Sequence, residues 1–83
     1  MYGLLPNDGT SLAQDNVRKA TNARLKAIAD SVGATWLDFS ALGDGASPER
    51  FVTKYKFDVL HENELAIEEI MVPVTRAAIA DVL

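Results

Sequence analysis

Val17, Ala20, Leu25, Ile28 and Val32 recur at helical spacing and give one apolar stripe, with Arg18, Lys19, Arg24 and Lys26 mainly off it. Ser11 stands ahead of the stripe, where its side-chain oxygen can accept an orphan backbone N–H, and Gly33 follows the last periodic residue as a stop. The pattern therefore predicts a helix from Ser11 to Gly33. Before it, Tyr2-Gly3-Leu4-Leu5 is a short apolar run stopped by Pro6, and it reads as the end of a buried strand. Pro6 to Thr10 is turn chemistry. After the helix, Ala34 to Phe39 is rich in strand-favouring side chains and predicts a second short strand, its Trp36 and Phe39 placed in the core.

From Ser40 to Lys56 the pattern lapses into an irregular stretch with Gly43, Gly45 and Pro48. Helical periodicity returns from Glu62 to Leu83, with Leu65, Ile67, Ile70, Met71, Val74, Ala78 and Val82 as the expected buried positions. Pro73 predicts a kink, or a break into two helices, inside that run. The reading is β-α-β-loop-α, an α/β class with parallel strands. Two parallel strands buried on both faces normally belong to a larger sheet, so residues 1–83 read as a single partial domain with uncovered apolar faces.

Composition narrows the function classes. The 83 residues are 48% hydrophobic, the mix of a folded globular chain. A domain of this size buries only about 60–65% of the surface its unfolded chain exposes, so its stability is expected to be marginal. The absence of cysteine excludes disulfides, thiolate metal sites and a cysteine nucleophile. A net charge of −4, with eight scattered basic residues, argues against a nucleic-acid surface. No apolar run is long enough for a membrane span and no signal-peptide pattern opens the sequence, so the chain reads as soluble and unexported.

The candidate chemistry lies around the single histidine. Asp58 precedes His61 by three residues, a gap that lets a carboxylate fold back onto the ring's Nδ1–H while Nε2 acts as a general base. On spacing alone the bland alternative is a partly exposed histidine beside a turn acid. A metal site at Asp58, His61, Glu62 and Glu64 has the ligand types, but position 65, where a zinc-binding His-Glu-x-x-His needs its second histidine, is Leu65. Glu62, Glu64, Glu68 and Glu69 read as a solvated helix face.

The segment Asp58-Val59-Leu60-His61-Glu62-Asn63-Glu64-Leu65-Ala66 resembles the final Asp-x-x-His block of the SGNH/GDSL serine hydrolases, with Asn63 two residues and Ala66 five residues after the histidine. Asn22-Ala23-Arg24-Leu25, Ala29, Gly33 and Trp36-Leu37-Asp38 are similar to that family's penultimate helix and the strand after it. Gly3-Leu4-Leu5-Pro6 is similar to the strand ending before that helix. Val59 and Glu62 stand where the family commonly has glycine and proline. The resemblance implies a flavodoxin-like three-layer α/β fold of which this chain is the C-terminal portion, the N-terminal half being absent. It also implies a carboxyl-ester hydrolase that removes small acyl groups, such as acetyl from carbohydrate, through an acyl-serine intermediate and without a cofactor. His61 would then be the general base and Asp58 its orienting acid.

A nucleophile is missing from this pattern. Gly9-Thr10-Ser11 resembles a degenerate Gly-Asp-Ser block, but Ser11 reads better as the helix N-cap, and Ser31, Ser40 and Ser47 have no motif around them. A His–Asp pair without a nucleophile and an oxyanion hole provides little hydrolysis. The expectation is a part-enzyme that needs a complementing fragment. The alternative is a non-enzymatic α/β module that forms a homo-oligomer through its uncovered apolar faces.

Overall fold

In a computed structural model that describes the backbone of residues 1–82 and the side chains of 1–80, the first helix, α1, spans Leu12–Ser31. Ser11 caps it. Its side chain accepts the Gln14 N–H at 3.2 Å, and Gln14 Oε1 accepts the Ser11 N–H at 2.9 Å, a reciprocal capping box. At the other end the Gly33 N–H donates to Asp30 O and the Ala34 N–H donates to Ala29 O, the paired bonds of a Schellman motif. Gly33 has a φ of 72°, which a side chain would strain.

The face of α1 that meets the rest of the molecule is not the apolar stripe. Val17, Ile28 and Val32 are exposed, and only Leu25 of the expected stripe is half-buried. The contacting face carries Asp15, Arg18, Lys19, Asn22, Leu25 and Ala29, of which Asp15 and Ala29 are fully buried.

No sheet forms among the described residues, which corrects the parallel α/β, flavodoxin-like expectation. Met1, just ahead of the first segment predicted as a strand, does lie beside the second. The Met1 amino group donates to Thr35 O at 2.9 Å, and the Leu37 N–H donates to Met1 O at 2.7 Å. Pairing goes no further than Met1, and side chains of α1 take both backbone groups of Leu4. Asn22 Oδ1 accepts the Leu4 N–H at 2.7 Å, while Asn22 Nδ2 and Arg18 both donate to Leu4 O. Those bonds satisfy the Leu4 donor and acceptor from the side of α1. They also bring Asn22 so close that a Cβ on Gly3 would lie 2.5 Å from its Oδ1.

The irregular stretch supplies most of the core. Phe39, Leu42, Phe51, Tyr55 and Ala66 are the buried cluster, with Leu5, Leu37, Val52, Ile70, Met71 and Val74 packed against it. Two short 3₁₀ turns, Ser40–Leu42 and Thr53–Tyr55, aim Leu42 and Tyr55 inward. Between them, the Val52 N–H donates to Leu42 O, and Asp44 Oδ1 accepts N–H groups from Ala46 and Arg50. The segment is thus held by its own backbone and by carboxylates, with Asp15 accepting the Glu49 N–H and Asp8 the Phe51 N–H, rather than by a sheet.

The C-terminal helix runs continuously through α2 (Glu64–Ala66), a π turn (Ile67–Met71) and α3 (Val72–Val82). Of the kink or break expected at Pro73, the break does not occur; the widened turn precedes the proline, and in it the Val72 N–H bonds to Ile67 O five residues back. The carbonyl that a proline at 73 would strike belongs to Glu69, inside the π turn, and the extra residue per turn relieves the clash. Ala66, Ile70, Met71 and Val74 face the core. Leu65 and Ile67, expected inside, are exposed, and the side chain of Val82 lies outside the described residues. No helix among the described residues is long and apolar enough to cross a membrane.

Candidate functional site

The segment from Tyr55 to Asn63 doubles back on itself. The Asn63 N–H donates to Tyr55 O at 2.9 Å, Lys56 and Glu62 form an antiparallel bridge, and the Phe57 N–H donates to His61 O at 2.9 Å. Asn63 closes the base by capping the C-terminal helix through Ala66 N–H, while its Nδ2 donates to Lys54 O at 2.7 Å. The sequence therefore places Asp58 and His61 at the tip of a short closed turn.

Asp58 builds that tip. Its Oδ1 accepts the Leu60 N–H at 2.8 Å and the His61 N–H at 2.9 Å, the side-chain-to-backbone bonding typical of aspartate in turns. The His61 ring Nδ1 lies 2.9 Å from Oδ1 and 3.0 Å from Oδ2 of the same carboxylate. An ionised carboxylate can only accept, so the neutral ring carries its proton on Nδ1 and leaves the Nε2 lone pair free. Among the described residues Nε2 has no hydrogen-bond partner. The imidazole side chain is 66% exposed, open to a reactant from solvent. The Leu60 N–H, with the ring and backbone N–H of His61, holds the Asp58 carboxyl below the usual aspartate value.

The surroundings are apolar. Phe57, Val59 and Leu60 are all exposed, Phe57 by 75%. A cleft of about 440 Å³ runs from Leu60 past Tyr2, Leu4, Pro6, Asn7 and Thr10.

The serines are engaged elsewhere. Ser11 caps α1, the Ser31 hydroxyl donates to Ile28 O at 2.8 Å, and Ser47 Oγ accepts from Lys19 at 3.4 Å. The Ser40 N–H donates to Asp38 Oδ1, starting a 3₁₀ turn. Among the described residues no serine bonds to His61, so the structure brings Asp58 and His61 together and leaves them without a nucleophile. Nor do any three His, Asp or Glu side chains among those residues gather into a group that could hold a metal ion.

No protein family, curated protein or solved structure gives a significant match to this chain.

Two residues at the site escaped the sequence reading. The Asp8 N–H donates to Val59 O at 2.8 Å, and its carboxylate pairs with Lys56 at 2.8 Å and accepts the Phe51 N–H at 2.9 Å. Burial pushes the Asp8 carboxyl up, but the Lys56 and Phe51 bonds outweigh it and hold it below its ordinary value. The only sequence signal was Asn7-Asp8 within turn chemistry, which names a turn but not its distant partner.

Proposed function

We propose that this chain carries the acid–base pair of a serine ester hydrolase, with His61 as general base and Asp58 as the acid that orients it. The observation that carries the reading is the bidentate approach of the Asp58 carboxylate to Nδ1 of an exposed histidine whose Nε2 is free. The serine is supplied by a polypeptide segment other than residues 1–83. In the complete site His61 takes the serine proton as the hydroxyl attacks a small acyl ester, such as an acetylated carbohydrate, and later activates water against the acyl-serine. No cofactor takes part in that sequence.

The test is hydrolysis of p-nitrophenyl acetate by the purified chain, against free imidazole at equal concentration, with fluorophosphonate labelling read by intact mass. A rate above imidazole that falls in both His61→Ala and Asp58→Asn, with no serine labelled, supports an oriented base lacking its nucleophile. A rate no higher than imidazole, or one insensitive to Asp58→Asn, overturns it.

The exposed apolar side chains on α1 and around Phe57 favour a second reading, a non-enzymatic module that pairs with another copy of itself. Sedimentation as a concentration-dependent dimer, together with a His61 that hydrolyses no faster than imidazole, would establish it.

A further inference from the structure

The turn that carries the acid–histidine pair is nearly self-contained. Each hydrogen bond of Asp58, Leu60 and His61 among the described residues closes within the turn. Across residues 57–61 the one hydrogen bond that leaves it is Val59 O accepting the Asp8 N–H. At the turn's base the Lys56 ammonium reaches the same residue, Asp8 Oδ2, at 2.8 Å. Asp8 is in turn fixed on its other side by the Phe51 N–H, and Phe51 is a buried core residue. A chain of direct bonds thus runs from the core, through one aspartate, to the turn that sets the direction of the imidazole.

We propose that Asp8 and Lys56 are positioning residues for the His61–Asp58 pair, holding the 57–61 turn against the N-terminal turn so that the ring keeps a single tautomer. The proposal rests on the reading of Asp58 and His61 as an acid–base pair, and it adds what orients that pair from outside. Exposed turns tied by few bonds open locally at low cost. When this one opens, the carboxylate–imidazole contact is free to exchange with water.

The experiment reads the ring itself and needs no serine. Nitrogen-15 NMR of His61 at about pH 8.5, above the ordinary imidazole range, reports the tautomer and the exchange of the Nδ1 proton. The wild-type chain is expected to show the Nδ1–H tautomer. Lys56→Met, a change at a partly exposed side chain, is expected to speed Nδ1–H exchange about threefold, the scale of one such ion pair, with unchanged circular dichroism. Lys56→Arg is expected to restore the slow exchange, and Asp8→Asn to match Lys56→Met. A fixed tautomer whose exchange is unaltered in Lys56→Met overturns the positioning role alone. A wild-type ring with no preferred tautomer overturns both this role and the acid–base reading beneath it.

Discussion

Helix α1 meets the rest of the chain through Asp15, Arg18 and Asn22, whereas the C-terminal helix meets it through Ala66, Ile70 and Val74. On α1 the contacts are directional. The fully buried Asp15 carboxylate accepts from Arg18 at 3.0 Å, from Lys19 at 3.2 Å and from the Glu49 N–H at 2.9 Å, and Arg18 reaches on to Glu49 at 2.6 Å. On the C-terminal helix they are apolar and non-directional, with a polar addition at the edge where Tyr55 OH donates to Glu69 at 2.7 Å. A charge network fixes the rotation of a helix as firmly as an oily stripe does, because each buried partner lost leaves another uncompensated. That is why the apolar stripe of α1 can point to solvent, with Val17 66% and Val32 71% exposed.

Removing the apolar side of this contrast is expected to cost most. Leu42 is fully buried at the centre of the cluster that the C-terminal helix covers. Leu42→Ala is expected to cost about 4 kcal/mol, enough to unfold much of a domain this small. Urea denaturation followed by circular dichroism measures it. A cost below about 1 kcal/mol would show that the core collapses around the gap.

Asp15→Asn attacks the other side and is expected to cost about 2 kcal/mol at neutral pH, since Arg18 keeps Glu49 as a partner. Burial raises the Asp15 carboxyl, but the Glu49 N–H and the Arg18 and Lys19 bonds outweigh it and hold it at about 2, against an ordinary value of 3.8. The folded state therefore binds its proton less readily than the unfolded chain. The stabilisation is fully present above about pH 4 and is lost as pH falls toward 2. Acid titration of the wild type should show that loss, and Asp15→Asn should lack its share of it. Equal acid sensitivity in both chains would mean that the network does not hold α1.

The same contrast explains what could be read in advance. The extent of α1, its Ser11 cap and its Gly33 stop were legible because caps and helix stops are local chemistry. Its buried face was not, because periodicity counts apolar residues and cannot see that Asp15 will meet the backbone of Glu49, 34 residues away. The absence of a sheet among the described residues was not legible either: strand propensity cannot see that pairing ends at Met1, or that Asn22, 18 residues away, takes both backbone groups of Leu4. The core role of Phe51 and Tyr55 was hidden in a stretch rich in turn residues. The Asp58–His61 contact, by contrast, is local and follows from a three-residue gap, while its tie to Asp8 spans most of the chain.

Ser11→Ala tests a boundary rather than a face. It removes the side-chain acceptor of the Gln14 N–H and is expected to cost about 1 kcal/mol, read as a lowered urea midpoint without a change in slope. Ester hydrolysis should be unaffected once the folded fraction is matched, because Ser11 Oγ is a cap and not a nucleophile. Loss of hydrolysis in the folded variant would reverse that assignment.

The smallest expected effect is the most discriminating. If α1 is held by its charges, the stripe residues Val17, Ile28 and Val32 contribute almost nothing to the monomer, and each serine replacement should stay within about 0.5 kcal/mol of wild type at low protein concentration. The polar replacement has a modest helix-propensity difference to set against it and no packing to lose. A drop of about 2 kcal/mol in any of them would place that side chain in a buried contact and rotate the helix away from the arrangement described above. The triple variant adds a second reading from the same samples. Should wild-type stability rise with protein concentration while that of the triple variant does not, the stripe is covered by another copy of the chain, and the two faces of α1 divide the work: charges inward to the fold, aliphatic side chains outward to a partner.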